Sequence, residues 1–164
     1  MNMNELKSYQ PNLLDKIVVV SPYYKDDFNS IVYVETAASV LTEYATHLHT
    51  TAFVEHFLYL QGTSIRGSRT SARKLYNFSK NIPIYAPLTQ QVIQKYRVPD
   101  CPDPIYFFTM LYTIEELTKK RSKLSLYNAS FIVEASKHQC ITQQQRASYY
   151  LLHKQQQHAS YIFD

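Results

Sequence analysis

The chain has 164 residues, 45% of them hydrophobic and 18% charged, with 17 Lys and Arg against 13 Asp and Glu. That balance excludes a disordered chain, and no apolar run reaches the ~18 residues that span a bilayer. A single domain over residues 1–164, long enough for a real core, is the expected organisation.

Residues 1–28 read as an irregular segment in which "KIVVVS" (16–21), rich in β-branched residues, forms at most one short strand ended by Pro22. "SPYYKDDFN" reads as a loop. From Ser30 to Leu60, Val34, Ala38, Leu41, Ala45, Leu48 and Ala52, then Phe53, Phe57 and Leu60, recur at helical spacing, with Asp27 or Asn29 as caps. Thr50-Thr51 marks a break in that helix. A second helix begins near Ser68 or Ser71, includes Leu75 and Phe78, and ends before Pro83 and Pro87.

"LTQQVIQKYR" reads as a short helix and "VPDCPDP" as a loop. Asp103-Pro104 has the chemistry of a cap and first turn for a helix reaching about Arg121. Phe107, Phe108, Leu111, Tyr112 and Ile114 give that helix a wide apolar face. "SLYNASFIVEAS" reads as a further helix. Thr142 with Gln145 forms a capping box for a C-terminal Gln/Tyr-rich helix over 142–164. The predicted fold class is therefore mainly α, a single-domain helical bundle of about five to six helices.

Two patterns stand above this background. "QQQRASYYL" at 143–151 returns as "QQQHASYIF" at 155–163, a step that rotates a helix by about 120°, so the copies face different directions. Charge is also uneven. Residues 1–55 carry three lysines and seven acids, whereas residues 56–99 carry seven basic residues and no acid. That window holds Arg66, Arg69, Arg73, Lys74, Lys80, Lys95 and Arg97, which together suit a phosphate-bearing or acidic partner. Tyr76, Phe78, Tyr85 and Tyr96 are interleaved with them, as aromatic contacts.

The chemical motifs fail on their key residues. Gly62 and Gly67 have the spacing of a phosphate loop, but Ser68 and Arg69 stand where Lys and Ser or Thr are needed. Gly62 instead reads as a left-handed helix cap, and Gly67 as a turn before the next helix. Cys140 to Arg146 has the outline of a cysteine phosphatase loop without the glycine that chemistry needs. His47, His49 and His56, and Cys101, His138, Cys140 and His153, lack metal-ligand spacing. No enzyme, metal or cofactor is predicted. "KKRSK" (119–123) reads as a helix end whose Lys119 and Lys120 pair with Glu115 and Glu116.

In "ARKLYNFSK", Leu75-Tyr76 is similar to the start of the signature of the LYR-motif family, small three-helix mitochondrial assembly factors and respiratory-complex subunits. "VIQKYRVPDCPDP" and the helix expected after it resemble that family's later segments. The resemblance implies a mitochondrial accessory subunit, although Asn77 stands where the signature has arginine.

Two cysteines are too few for a disulfide framework and fit an intracellular, reducing compartment. "MNMNELKSYQPNLLDK" carries neither the apolar run of a secretory signal nor the arginine-rich pattern of a transit peptide. The function expected is that of a non-enzymatic structural or accessory subunit of a larger assembly. It would bind protein partners through the basic, tyrosine-rich surface around residues 62–97. The alternative is a nucleic-acid-binding protein that contacts RNA or DNA phosphates with the same residues.

Overall fold

The computed structural model describes residues 4–5, 16–76 and 80–163. Among the described residues the chain forms ten strands and three helices, so the predicted helical bundle is overturned. In chain order they are β1 (Asn4–Glu5), β2 (Ile17–Lys25), β3 (Phe28–Ala37), β4 (Val40–Thr46), α1 (Thr50–Tyr59), α2 (Ile65–Tyr76), β5 (Ile84–Ala86), β6 (Gln91–Tyr96), β7 (Ile105–Phe107), β8 (Thr113–Thr118), β9 (Arg121–Leu126), β10 (Ala129–Val133) and α3 (Lys137–Phe163). A seven-stranded sheet has the order β1-β4-β3-β2-β7-β6-β5, and β8 to β10 make a separate meander. Every pairing is antiparallel except that of the two-residue β1 with β4.

The helix expected over 30–60 fails because "SIVYVE" is a β-branched run whose side chains alternate between faces. Val32 and Val34 enter one core, and Tyr33 packs on the other side of the sheet. Val32 lies opposite Tyr44 and Val34 opposite Thr42 across the β3–β4 hairpin. Of the loop expected over residues 21–29 only Asp26-Asp27 is a turn, both residues left-handed (φ 54° and 65°): β2 runs on through Pro22 to Lys25, and β3 begins at Phe28. Of the long helix only α1 exists, and it starts at Thr50, the position read as a break.

The other strands were hidden by coincidental helical spacing. Ile105 to Phe107 is buried throughout, as a central strand between two covered faces must be. In β9, Ser122, Leu124 and Leu126 are buried while Arg121, Lys123 and Ser125 are half-buried, a period of two. Glu115 lies opposite Lys123 across β8 and β9, their side chains 3.6 Å apart, so "KKRSK" is a hairpin turn and strand rather than a helix end. With strands at β6, β7 and β8, the three-helix architecture implied by the LYR resemblance is absent.

Apolar burial divides by face. Phe53, Val54, Phe57 and Leu58 of α1 and Ile65 of α2 pack on Val20, Val32, Val34 and Ile93 on one side of the large sheet. Full burial of each large side chain stabilises by about 1.5–3 kcal/mol. On the opposite side Val19, Tyr96, Ile105 and Phe107 meet Leu124, Leu126, Phe131 and Val133 of the meander, with Cys140 of α3. A third cluster joins α2, α3 and the β5–β6 edge through Ala72, Ile82, Val92, Ala147 and Tyr150. Among the described residues no helix is long and apolar enough to cross a membrane.

Candidate basic cleft

The glycines set up α2, and α2 sets up the cleft. Gly62 follows α1 in the left-handed conformation (φ 76°), as expected of a cap. Gly67 is not a turn but lies inside the first turn of α2. Its N–H donates to Ser64 Oγ at 2.9 Å, and a Cβ there would stand 3.1 Å from that oxygen. Ser64 thus caps the helix, and Ser68, buried beside Gly67, accepts the Tyr85 backbone N–H at 2.7 Å. That bond fixes Ile65, Ser68 and Ala72 toward the sheet. Arg69 and Arg73, one turn apart, share a face that turns toward β6.

On β6 the alternation of a strand does the rest. Gln94 and Tyr96 point inward, and Lys95 and Arg97 point out. Gln94 donates to the Thr109 carbonyl at 3.2 Å and accepts the Tyr112 hydroxyl, whose oxygen also lies 2.8 Å from that of Tyr96. This buried network makes a rigid floor. The Glu134 N–H donates to the Arg97 carbonyl at 2.8 Å and closes the far side. The start of α3 supplies the remaining wall through Gln139 and Gln143.

The result is a cleft of about 480 Å³ into which Arg69, Arg73, Lys80, Lys95 and Arg97 all project. One carboxylate, Glu134, lines it, and that group already pairs with Arg121 at 3.7 Å. Among the described residues none of the five cations forms an ion pair. Burial, then the charges of Arg69 and Arg97, push the Lys95 pKa below the ordinary lysine value. Like charges held this close stay charged at a cost, and a multivalent anion relieves it.

Of the seven basic residues singled out in the sequence, five therefore converge. Arg66 and Lys74 lie exposed on α2 outside the lining. The aromatic residues do not take the role expected of them. Tyr96 is buried in the floor. Tyr76 and Tyr85 pack edge-on against Tyr150 of α3. Phe78 lies outside the described residues. Asn81, Gln94, Gln139 and Gln143 line the cleft without any signal in the sequence beyond polarity.

The remaining motifs of the sequence take the following places in the fold. Cys140 and Arg146 both lie in α3, not on a loop. Cys140 is fully buried, and burial pushes its thiol pKa up although a hydrogen bond with Ser122 opposes this, so the site disfavours a thiolate. Arg146 donates to the Lys80 carbonyl and so holds the cleft rim. His49 Nδ1 lies 2.6 Å from Asp103 Oδ2, and His47 stacks on Phe28. Among the described residues no three His, Cys, Asp or Glu side chains converge on a point that would hold a metal. α3 begins not at Thr142 but at Lys137. Ser136 and Gln139 form the capping box: the Gln139 N–H donates to Ser136 Oγ at 3.1 Å, and the Ser136 N–H donates to Gln139 Oε1 at 2.8 Å.

Compared with known protein families, curated proteins and solved structures, the chain matches none of them.

Proposed function

We propose that the protein binds nucleic acid and seats its phosphate backbone in the cleft between α2, β6 and the start of α3. The observation that carries this reading is the convergence of five cations, three of them arginines, without an acid partner among the described residues. Arginine presents a planar fork of donors that matches phosphate oxygens. Nucleic-acid interfaces are polar and strongly positive, as this lining is.

A protein partner is less well served. Protein interfaces draw most of their energy from large apolar or aromatic anchors. Among the described residues none of the exposed large hydrophobics lines the cleft, and Tyr76, Tyr85 and Tyr96 are engaged in internal packing. The same inward tyrosines disfavour a single strand held by base stacking. What remains is contact with the backbone, tolerant of sequence and suited to a duplex.

The test is fluorescence anisotropy with a labelled duplex DNA, a single-stranded RNA and a poly-glutamate peptide, each over a salt series. The duplex should bind, with log K falling linearly in log salt. Arg69→Ala, Arg73→Ala and Arg97→Ala should each lower the slope by about 1 across unrelated sequences. No nucleic-acid binding at low salt overturns the proposal. Binding of poly-glutamate alone overturns it in favour of an accessory subunit that docks an acidic protein.

A further inference from the structure

Away from the cleft, the junction of α2 and α3 holds a second arrangement for a cation. Tyr76 ends α2, Tyr85 lies in β5, and Tyr150 is buried on α3. The Tyr150 ring meets Tyr76 with centroids 4.8 Å apart at 83° and Tyr85 at 6.0 Å and 73°. The Nζ of Lys154, one helical turn beyond Tyr150, lies 6.0, 5.3 and 5.7 Å from the centroids of Tyr76, Tyr85 and Tyr150. Three ring faces around one ammonium at these separations form an aromatic cage. Lys154 is half-buried, which pushes its pKa down, and no ion pair among the described residues compensates.

We propose that Tyr76, Tyr85 and Tyr150 form an ammonium-binding site whose resident ligand is the chain's own Lys154, and that this charge clasp fastens the second half of α3 to α2. Leu151 packs on the cluster between α2 and α3, but the described residues around and beyond Lys154 are largely exposed. Tyr149 and Leu152 on α3 are exposed, as are Gln155, Gln156, His158 and Ala159 beyond Lys154. Beside the cage, Tyr76 and His153 add one hydrogen bond at 2.6 Å. The clasp grips the last residue of α2, the helix that carries Arg69 and Arg73, so it also steadies one wall of the cleft. The site recognises positive charge on a compact, apolar head. A tetramethylammonium ion meets that description and should enter once Lys154 is removed.

Amide hydrogen exchange along α3 of the full chain tests this without any nucleic acid, so its outcome is independent of the proposed function. Lys154→Met, which keeps length and removes charge, should speed exchange of residues 151–159 by about tenfold, while Lys154→Arg stays within about threefold of the native chain. In Lys154→Ala, tetramethylammonium chloride should restore protection that an equal concentration of sodium chloride does not. Native protection in Lys154→Met overturns the clasp. Failure of tetramethylammonium to protect Lys154→Ala, or equal protection by sodium, overturns the ammonium site.

Discussion

Residues 143–151 and 155–163 repeat one pattern twelve positions apart in the same helix, yet the molecule uses the copies in opposite ways. In the first copy Ala147 and Tyr150 are fully buried. Gln144 donates to the carbonyls of Met110 and Tyr112 at 2.7 and 2.8 Å, and Gln143 donates to the Lys95 carbonyl at 3.3 Å. In the second copy Gln155, Gln156 and Ala159 are exposed. A twelve-residue step turns the helix by about 120° and advances it by about 18 Å, which carries the pattern away from β6, β8 and β9. Among the described side chains, Ala147 is core and its counterpart Ala159 is surface. Burial is conferred by the neighbours, not by the segment.

The contrast is broken most sharply by placing a charge at equivalent positions. Ala147→Asp buries an unpaired carboxylate against Ile82 and Val92 and should cost about 4 kcal/mol or more, whereas Ala159→Asp should stay within about 0.5 kcal/mol. Urea unfolding of both variants measures the difference, and similar losses would show that the second copy is packed after all. A step down in size is Gln144→Leu, which strands two carbonyls and should cost about 1–3 kcal/mol. Gln156→Leu, its counterpart, should change stability by less than about 0.5 kcal/mol.

The same principle explains what could be seen in the sequence. The acid-free window was legible because charge exclusion over 44 residues needs no knowledge of packing, and five of its cations share one cleft. The three helices were legible at α2, at α3 and in the latter half of the expected 30–60 helix. The strands were not. Val34, Ala38, Leu41 and Ala45 fit a helical period only because a hairpin turn at Ala38-Ser39 inserts the offset between two alternating strands. Glu115 and Lys119 fit i,i+4 pairing although the true partner of Glu115 is Lys123 across the sheet. Tyr76, Tyr85 and Tyr96, expected as aromatic contacts of the basic surface, are engaged in internal packing instead. Tyr96 finds Tyr112, and Tyr76 finds His153, both far along the chain.

The start of α3 gives a smaller contrast of the same kind. Two Ser/Thr-x-x-Gln patterns, Ser136 with Gln139 and Thr142 with Gln145, begin before the first copy, and only Ser136 with Gln139 caps the helix. Ser136→Ala should cost about 1 kcal/mol by leaving an N-terminal N–H unpaired. Thr142→Ala, at an exposed helical position, should be neutral or slightly stabilising because alanine has the higher helix propensity. Thermal unfolding of the pair decides which pattern starts the helix, and a loss at Thr142 alone would move the cap.

The smallest expected effect lies directly beneath the first copy, at the residue whose carbonyl takes the Gln143 amide. The Lys95 ammonium is held below its ordinary pKa of 10.5 by burial and by Arg69 and Arg97. The folded chain therefore binds this proton less tightly than the unfolded chain does. The group subtracts from stability at pH below its folded pKa, and the deficit disappears as pH rises through that value toward 10.5. Lys95→Met should accordingly raise the unfolding temperature slightly at neutral pH, with the gain fading in alkali. A bound polyanion reverses the repulsion and raises the Lys95 pKa, so binding in mild alkali should take up protons, and Lys95→Met should lose both that uptake and about one unit of salt slope. A variant that is less stable than the native chain at neutral pH would mean that the Lys95 side chain holds the cleft together, and that the strain assigned to its charge is not there.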